Sequence, residues 1–191
     1  MTRRRCAFIL AALLWFGAPV AWTHRLDECL QAIRLRLASD RLVLDLDLTP
    51  GASVAGQVLA LLDRDADGAV SVTESVDYAR RLFRDVVVTL DGRELSLHVV
   101  SAVASPLALL KSGEGQLKIR ANAQWDALGI GNHVLELTNR HLPSISAYLV
   151  NATKPVDPAL LLGQQVRNPH QSEYRLAFTM TAGQGIDRSR P

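Results

Sequence analysis

Two stretches near the start of the chain alternate apolar and polar residues with a strict period of two: Ile33-Arg-Leu-Arg-Leu37 and Leu42-Val-Leu-Asp-Leu-Asp-Leu48. That period sends successive side chains to opposite faces, which a helix cannot do and a half-buried strand must. Ala38-Ser-Asp-Arg41 between them has turn composition, so the pair reads as a β-hairpin, closed off by Thr49-Pro50-Gly51. Asp45 and Asp47 share one face of the second strand. Carboxylates at i and i+2 can serve acid–base chemistry, but a solvated strand face is the simpler expectation.

The strand pattern returns after residue 85. Val86–Leu90, Asp91-Gly92 and Arg93–Val99 read as a second hairpin, because Asp-Gly suits a type I′ turn. Residues Gly115–Ala123, His133–Thr138, Ile145–Val150, Leu160–Val166 and Glu173–Thr179 are further short strands, separated by Gly- and Pro-bearing loops such as Lys111-Ser-Gly-Glu-Gly115. The expectation is a mainly β chain, an antiparallel, immunoglobulin-like β-sandwich over residues 24–182.

One segment breaks this rhythm. In residues 52–62, Val54, Val58, Leu59 and Leu62 recur at helical spacing, with Ser53 as a candidate cap. Val76, Ala79, Leu82 and Phe83 form a second stripe over 72–84. Between them runs Asp63-Arg-Asp-Ala-Asp-Gly-Ala-Val-Ser-Val-Thr-Glu74. This fits D-x-[DN]-x-[DN]-G-x5-E at every specified position. Ca²⁺ takes 6–8 oxygens at about 2.3–2.6 Å, and a tightly wound loop presents alternate residues inward. The expected ligands are the carboxylates of Asp63, Asp65 and Asp67, the carbonyl of Ala69, a water at Ser71 and both oxygens of Glu74. Gly68 permits the sharp turn, and Val70 turns inward to the core. An Asp-rich turn can also be merely solvated. Gly68, Glu74 and two flanking apolar helices argue against that here. The length of the Glu74 side chain favours Ca²⁺ over the smaller Mg²⁺.

Residues 52–84 thus resemble a single EF-hand, a family whose shared property is calcium binding. EF-hands usually pair, and no second loop is legible. The resemblance therefore implies structural calcium rather than a calmodulin-type sensor, which opens a groove between paired hands. A wider likeness runs through His24-Arg-Leu-Asp-Glu-Cys-Leu-Gln31, Leu46-Asp-Leu48, the acidic loop and Leu135-Glu-Leu-Thr-Asn-Arg-His141. It is similar to bacterial exported EF-hand proteins and to the extracytoplasmic N-terminal region of HupE/UreJ-type membrane proteins. Those handle nickel or cobalt and continue into several transmembrane helices with no counterpart in this sequence. The resemblance implies a role beside a membrane partner, not transport.

Residues 1–23 read as an export signal: Arg3–Arg5, an apolar run Ala7–Trp15 too short to span a bilayer, then Gly17 and Pro19, with cleavage after Ala21 or Thr23. The expected destination is the periplasm or the exterior. No later segment is long and apolar enough to cross a membrane. Formal net charge is +2, and the three leading arginines account for more than all of it. Residues 1–23 hold no acidic residue, so the remainder carries −1 and no basic nucleic-acid footprint. Beyond the leader only Cys29 is left, so no intramolecular disulfide can form, and a small buried apolar role is expected for it.

The histidines His24, His98, His133, His141 and His170 form no HxH, HxxxH or HExxH pair. If cleavage follows Thr23, the α-amine and imidazole of His24 could chelate Cu²⁺ or Ni²⁺. No GxSxG, P-loop, CxxC or strand-borne GxGxxG occurs, so an enzyme is not expected. The two function classes are an exported, non-enzymatic calcium-binding accessory protein with an envelope partner, and a nickel, cobalt or copper trafficking protein serving a membrane transporter. Residues 183–191 read as a flexible polar tail.

Overall fold

The computed structural model describes residues 27–126 and 128–182; the export signal, His24 and the tail read from the sequence lie outside them. Along the chain come β1 (Cys29–Leu37), β2 (Arg41–Pro50), α1 (Ala55–Leu62), α2 (Val72–Leu82), β3 (Val86–Leu90), β4 (Arg93–Glu94), β5 (His98–Ala104), α3 (Leu107–Ser112), β6 (Leu117–Gln124), β7 (Gly131–Asn139), β8 (Ser146–Ala152), β9 (Leu160–Arg167) and β10 (Glu173–Met180). They form two five-stranded sheets, ordered β5-β6-β2-β1-β8 and β4-β3-β7-β10-β9. Inward side chains of both sheets belong to one continuous core with those of α1 and α2, an arrangement compatible with a β-sandwich. Among the described residues no helix is long and apolar enough to cross a membrane.

The first hairpin follows from its period. Leu42, Leu44, Leu46 and Leu48 are buried, opposite Leu37, Leu35, Ile33 and Gln31 in register. On the outer face, Asp47 pairs with Arg34 at 2.9 Å, and Asp45 with Arg36 and Arg120 at 2.7 Å each. Asp45 and Asp47 are therefore rungs of a cross-strand charge ladder, worth at most about 1 kcal/mol a pair at this exposure. Cys29 is fully buried, and desolvation pushes its thiol up to about 12, which keeps it unreactive at neutral pH.

Four details depart from the sequence reading. β8 pairs β1 in parallel, so the first sheet is not wholly antiparallel. The second hairpin keeps its type I′ turn, with Asp91 and Gly92 at φ 49° and 80°, but β4 stops after two residues. Leu95 and Leu97 then pack against the core, and the chain crosses to the other sheet as β5. Ser53 is not a cap: Val54 N–H bonds the Gly51 carbonyl, Val54 becomes the N-cap, and α1 begins at Ala55 without a side-chain cap. Finally, Leu107–Ser112 forms α3, entered at Pro106 and ended by Gly113 at φ 82°. Gly115 must follow closely, since a Cβ there would meet the Leu110 backbone nitrogen at 2.7 Å.

Candidate metal centre

The acidic loop joins α1 to α2, between β2 and β3. Both helices form because each offers one apolar stripe to the core: Val58, Leu59 and Leu62 on α1, and Tyr78, Ala79 and Leu82 on α2. A bond from the Arg81 guanidinium to the Leu61 carbonyl, 2.7 Å, ties the end of α2 to the end of α1. The loop's two ends are held by buried residues, while Arg64–Ala69 stays exposed.

Within the loop, ligand oxygens of Asp63, Asp65 and Asp67 all lie within 4.8 Å of one another. Short side-chain-to-backbone bonds set this up. Asp65 Oδ1 accepts from the Asp67 N–H at 3.2 Å, Asp67 Oδ1 from the Ala69 N–H at 2.8 Å, and Asp63 Oδ2 from the Gly68 N–H at 3.3 Å. Gly68 sits at φ 85°, the left-handed turn that brings its N–H back toward Asp63. Ala66 also adopts positive φ, 56°, which costs energy in a residue with a Cβ. Val70 packs against the core as expected.

Glu74 is not among the carboxylates within that distance. Its Oε2 accepts from the Ser71 N–H at 2.9 Å and the Ser71 hydroxyl at 2.8 Å, while Oε1 accepts from the Arg64 N–H at 2.7 Å. Ser71 in turn is the N-cap of α2, accepting from the Glu74 N–H at 3.1 Å, so the two residues form a reciprocal capping box. The Ser71 N–H first, then its hydroxyl and the Arg64 N–H, hold the Glu74 carboxyl below the usual carboxylate range. Glu74 thereby bridges both ends of the loop.

An oxygen-only set suits a hard divalent cation. Asp63 Oδ1 adds a specific sign: it is buried and has no hydrogen-bond partner, a condition shared among the described residues only by Thr89 Oγ1. Unpaired buried carboxylate oxygens are costly, and a cation would satisfy this one. Two carboxylates about 4 Å apart repel by roughly 1 kcal/mol in bulk water and about 4 kcal/mol at an effective dielectric of 20. Three such pairs favour either an open loop or a bound cation. The residues present therefore fit a hard divalent cation at Asp63, Asp65 and Asp67, with Glu74, Ala69 and Ser71 closing the loop beside them.

The four described histidines are not gathered. His98 and His170 are exposed, while the ring of His133 bonds Asp91 Oδ2 at 2.7 Å and the Gly129 carbonyl at 2.9 Å. His141 is buried with both ring nitrogens engaged, Nδ1 with Asp85 Oδ2 at 2.8 Å and Nε2 with the Tyr78 hydroxyl at 2.9 Å. Around it lies a polar cluster that the sequence did not announce. Asn139 Nδ2 donates to Gln31 Oε1, Asn139 Oδ1 accepts from the His141 N–H, and the His141 carbonyl accepts from Gln31 Nε2, Ser146 Oγ and the Tyr148 hydroxyl. Its members come from α2, β1, β7 and β8, and its bonded pair Gln31 and Ser146 stand 115 residues apart, so no local motif could mark it.

No protein-family model matches the chain, and none of the curated proteins does.

Proposed function

We propose that this chain is an exported, non-enzymatic calcium-binding protein, in which one EF-hand loop, Asp63–Glu74, binds Ca²⁺ and stabilises an accessory body that engages an envelope partner. In this reading the two sheets are an immunoglobulin-like β-sandwich, and α1, the loop and α2 are an EF-hand inserted after the first hairpin. The observation that carries it is the convergence of Asp63, Asp65 and Asp67 within 4.8 Å, with one Asp63 oxygen buried and unpartnered. The reading gains support from the route of the chain: α1 and α2 are anchored in the same core as both sheets, so a cation closing the loop braces the body.

Calcium acts here through mass action. An ion bound only by the folded state adds RT ln(1 + [Ca²⁺]/Kd), roughly 2.7 kcal/mol at a hundredfold excess over Kd. Extracellular calcium modules work with Kd of about 10⁻⁴–10⁻³ M, which matches a free-calcium compartment outside the cytoplasm. Isothermal titration of the chelator-treated full chain tests the assignment. About one equivalent of Ca²⁺ should bind with micromolar to millimolar affinity. No heat at millimolar Ca²⁺ overturns it. The trafficking alternative depends on His24, outside the described residues, and nothing among the described residues favours it.

A further inference from the structure

The side chains around His141 divide into an anchor and a moving part. The anchor is fixed by the sheets. Arg140 N–H donates to the Asp85 carbonyl at 2.9 Å beside the β3–β7 pairing, and Asn139 holds the His141 N–H. The Asp85 carboxylate can only accept, so it takes the Nδ1 proton, and the neutral ring then offers the Nε2 lone pair. Tyr78, buried in the middle of α2, donates its hydroxyl to that lone pair, its ring edge-on to the imidazole at 88° and 5.5 Å between centroids. The bond between His141 Nε2 and the Tyr78 hydroxyl joins the exit helix of the acidic loop to the sheets.

We propose that Tyr78, His141 and Asp85 form an acid-released latch: a proton added at His141 Nε2 takes away the acceptor of the Tyr78 hydroxyl hydrogen and loosens α2 from the sheets. Protonation converts Nε2 from acceptor to donor. The phenolic oxygen can accept from it, but the Tyr78 hydrogen then needs a new acceptor. Among the described residues the hydroxyl bonds only His141, so the displaced hydrogen would be buried unpaired. Four other described groups bear on the ring or on Tyr78. Arg81 on α2, lying 5.9 Å over the Tyr78 ring, opposes a second positive charge; Asp85 favours it; Tyr148 on β8 bonds the His141 carbonyl; and Cys29 on β1, which bears on Tyr78, is a buried thiol that carries no charge at neutral pH. Burial is the largest influence and outweighs Asp85, holding His141 below the usual histidine value of 6.5. The unfolded chain therefore binds the proton more readily. The latch is complete above about pH 6.5 and is lost as pH falls toward the folded value.

The test needs no metal and stays decisive if the calcium assignment fails. Thermal melts of the full chain in chelator, from about pH 7.5 down to about pH 5, are compared with Tyr78→Phe and His141→Gln. Hydrogen exchange along α2, corrected for the intrinsic effect of pH, supplies a local readout. Wild type should lose several degrees of Tm on acidification, with α2 losing protection before β1 and β2. Tyr78→Phe, which keeps the ring, should melt lower at neutral pH and converge on wild type in acid. His141→Gln should have a flatter profile, and if that variant does not fold, Tyr78→Phe decides. Wild-type and Tyr78→Phe curves that run parallel, with α2 protection unchanged, would overturn the latch.

Discussion

The loop between α1 and α2 and the cluster around His141 both gather polar side chains, yet they treat those groups in opposite ways. In the loop, Asp65 and Asp67 are exposed, the carboxylates are drawn together without a cationic side chain among them, and Asp63 Oδ1 is left without a partner. Around His141, Gln31, Asn139 and the imidazole are buried, and the bonds among them use both ring nitrogens, both ends of each amide and the His141 carbonyl. One site has unused ligand capacity; the other has spent its capacity on its own chain. A functional site and a structural lock can therefore be told apart by whether their polar atoms are already satisfied.

The largest effect should come from breaking the satisfied site. Asn139→Ala strands the Gln31 carbonyl oxygen and the His141 N–H, each orphan costing about 1–3 kcal/mol, so roughly 2–6 kcal/mol of stability should vanish in a urea melt, with or without Ca²⁺. A loss confined to calcium-free protein would erase the distinction between the two regions.

The loop should respond in the reverse manner. Asp63→Asn removes a charge from a repelling cluster, so in chelator its Tm should equal or exceed that of wild type, while the response to Ca²⁺ should disappear. Ser71→Ala is smaller and separates capping from ligation. It should cost about 1 kcal/mol through the lost α2 cap and leave calcium affinity close to wild type, whereas Glu74→Ala, which removes the carboxylate that ties Arg64 to Ser71, should weaken binding strongly.

The smallest effect lies at the second hairpin. The Asp91 carboxylate raises His133 above the usual histidine range, with the Gly129 carbonyl adding to it. Burial pushes Asp91 up, but bonds from His133 and the Val134 N–H outweigh it and hold it low. The sign for His133 is opposite to that of His141: its contribution is fully present below about pH 6.5 and fades as pH rises through its folded value. Asp91 is half exposed, so the effect is modest. In His133→Gln, the melting curve should lose a small stabilisation on the acid side, detectable by comparing Tm at about pH 6 and about pH 8.5.

What could be read from the sequence was local. Period two placed β1 and β2 because every other residue of Ile33–Leu37 and Leu42–Leu48 had to be buried, and the Asp91-Gly92 turn placed β3 as the first arm of a hairpin. The convergence of Asp63, Asp65 and Asp67 is legible because it follows from their spacing along the chain. Elements that depend on distant partners were not. Arg93–Val99 alternates like one strand, but the core captures Leu95 and Leu97 and splits it between two sheets. Helix α3 is too short for periodicity, although Pro106 before it and Gly113 after it are the usual punctuation of a helix. Ser71-x-x-Glu74 also has the pattern of a capping box, hidden in the sequence because the same residues fit the ligand pattern. His141 and Tyr78 stand 63 residues apart, and only the fold brings them together.

Thermal melting of wild type and Asp63→Asn, each with excess Ca²⁺ and with chelator, tests the central claim most directly. Wild type should gain several degrees with Ca²⁺, about 2–4 °C for each kcal/mol of binding energy, without new binding of a hydrophobic dye. Asp63→Asn should gain nothing. Equal gains in both proteins would place calcium elsewhere, and a calcium-dependent rise in dye binding without a shift in wild-type Tm would make the loop a sensor and not a brace.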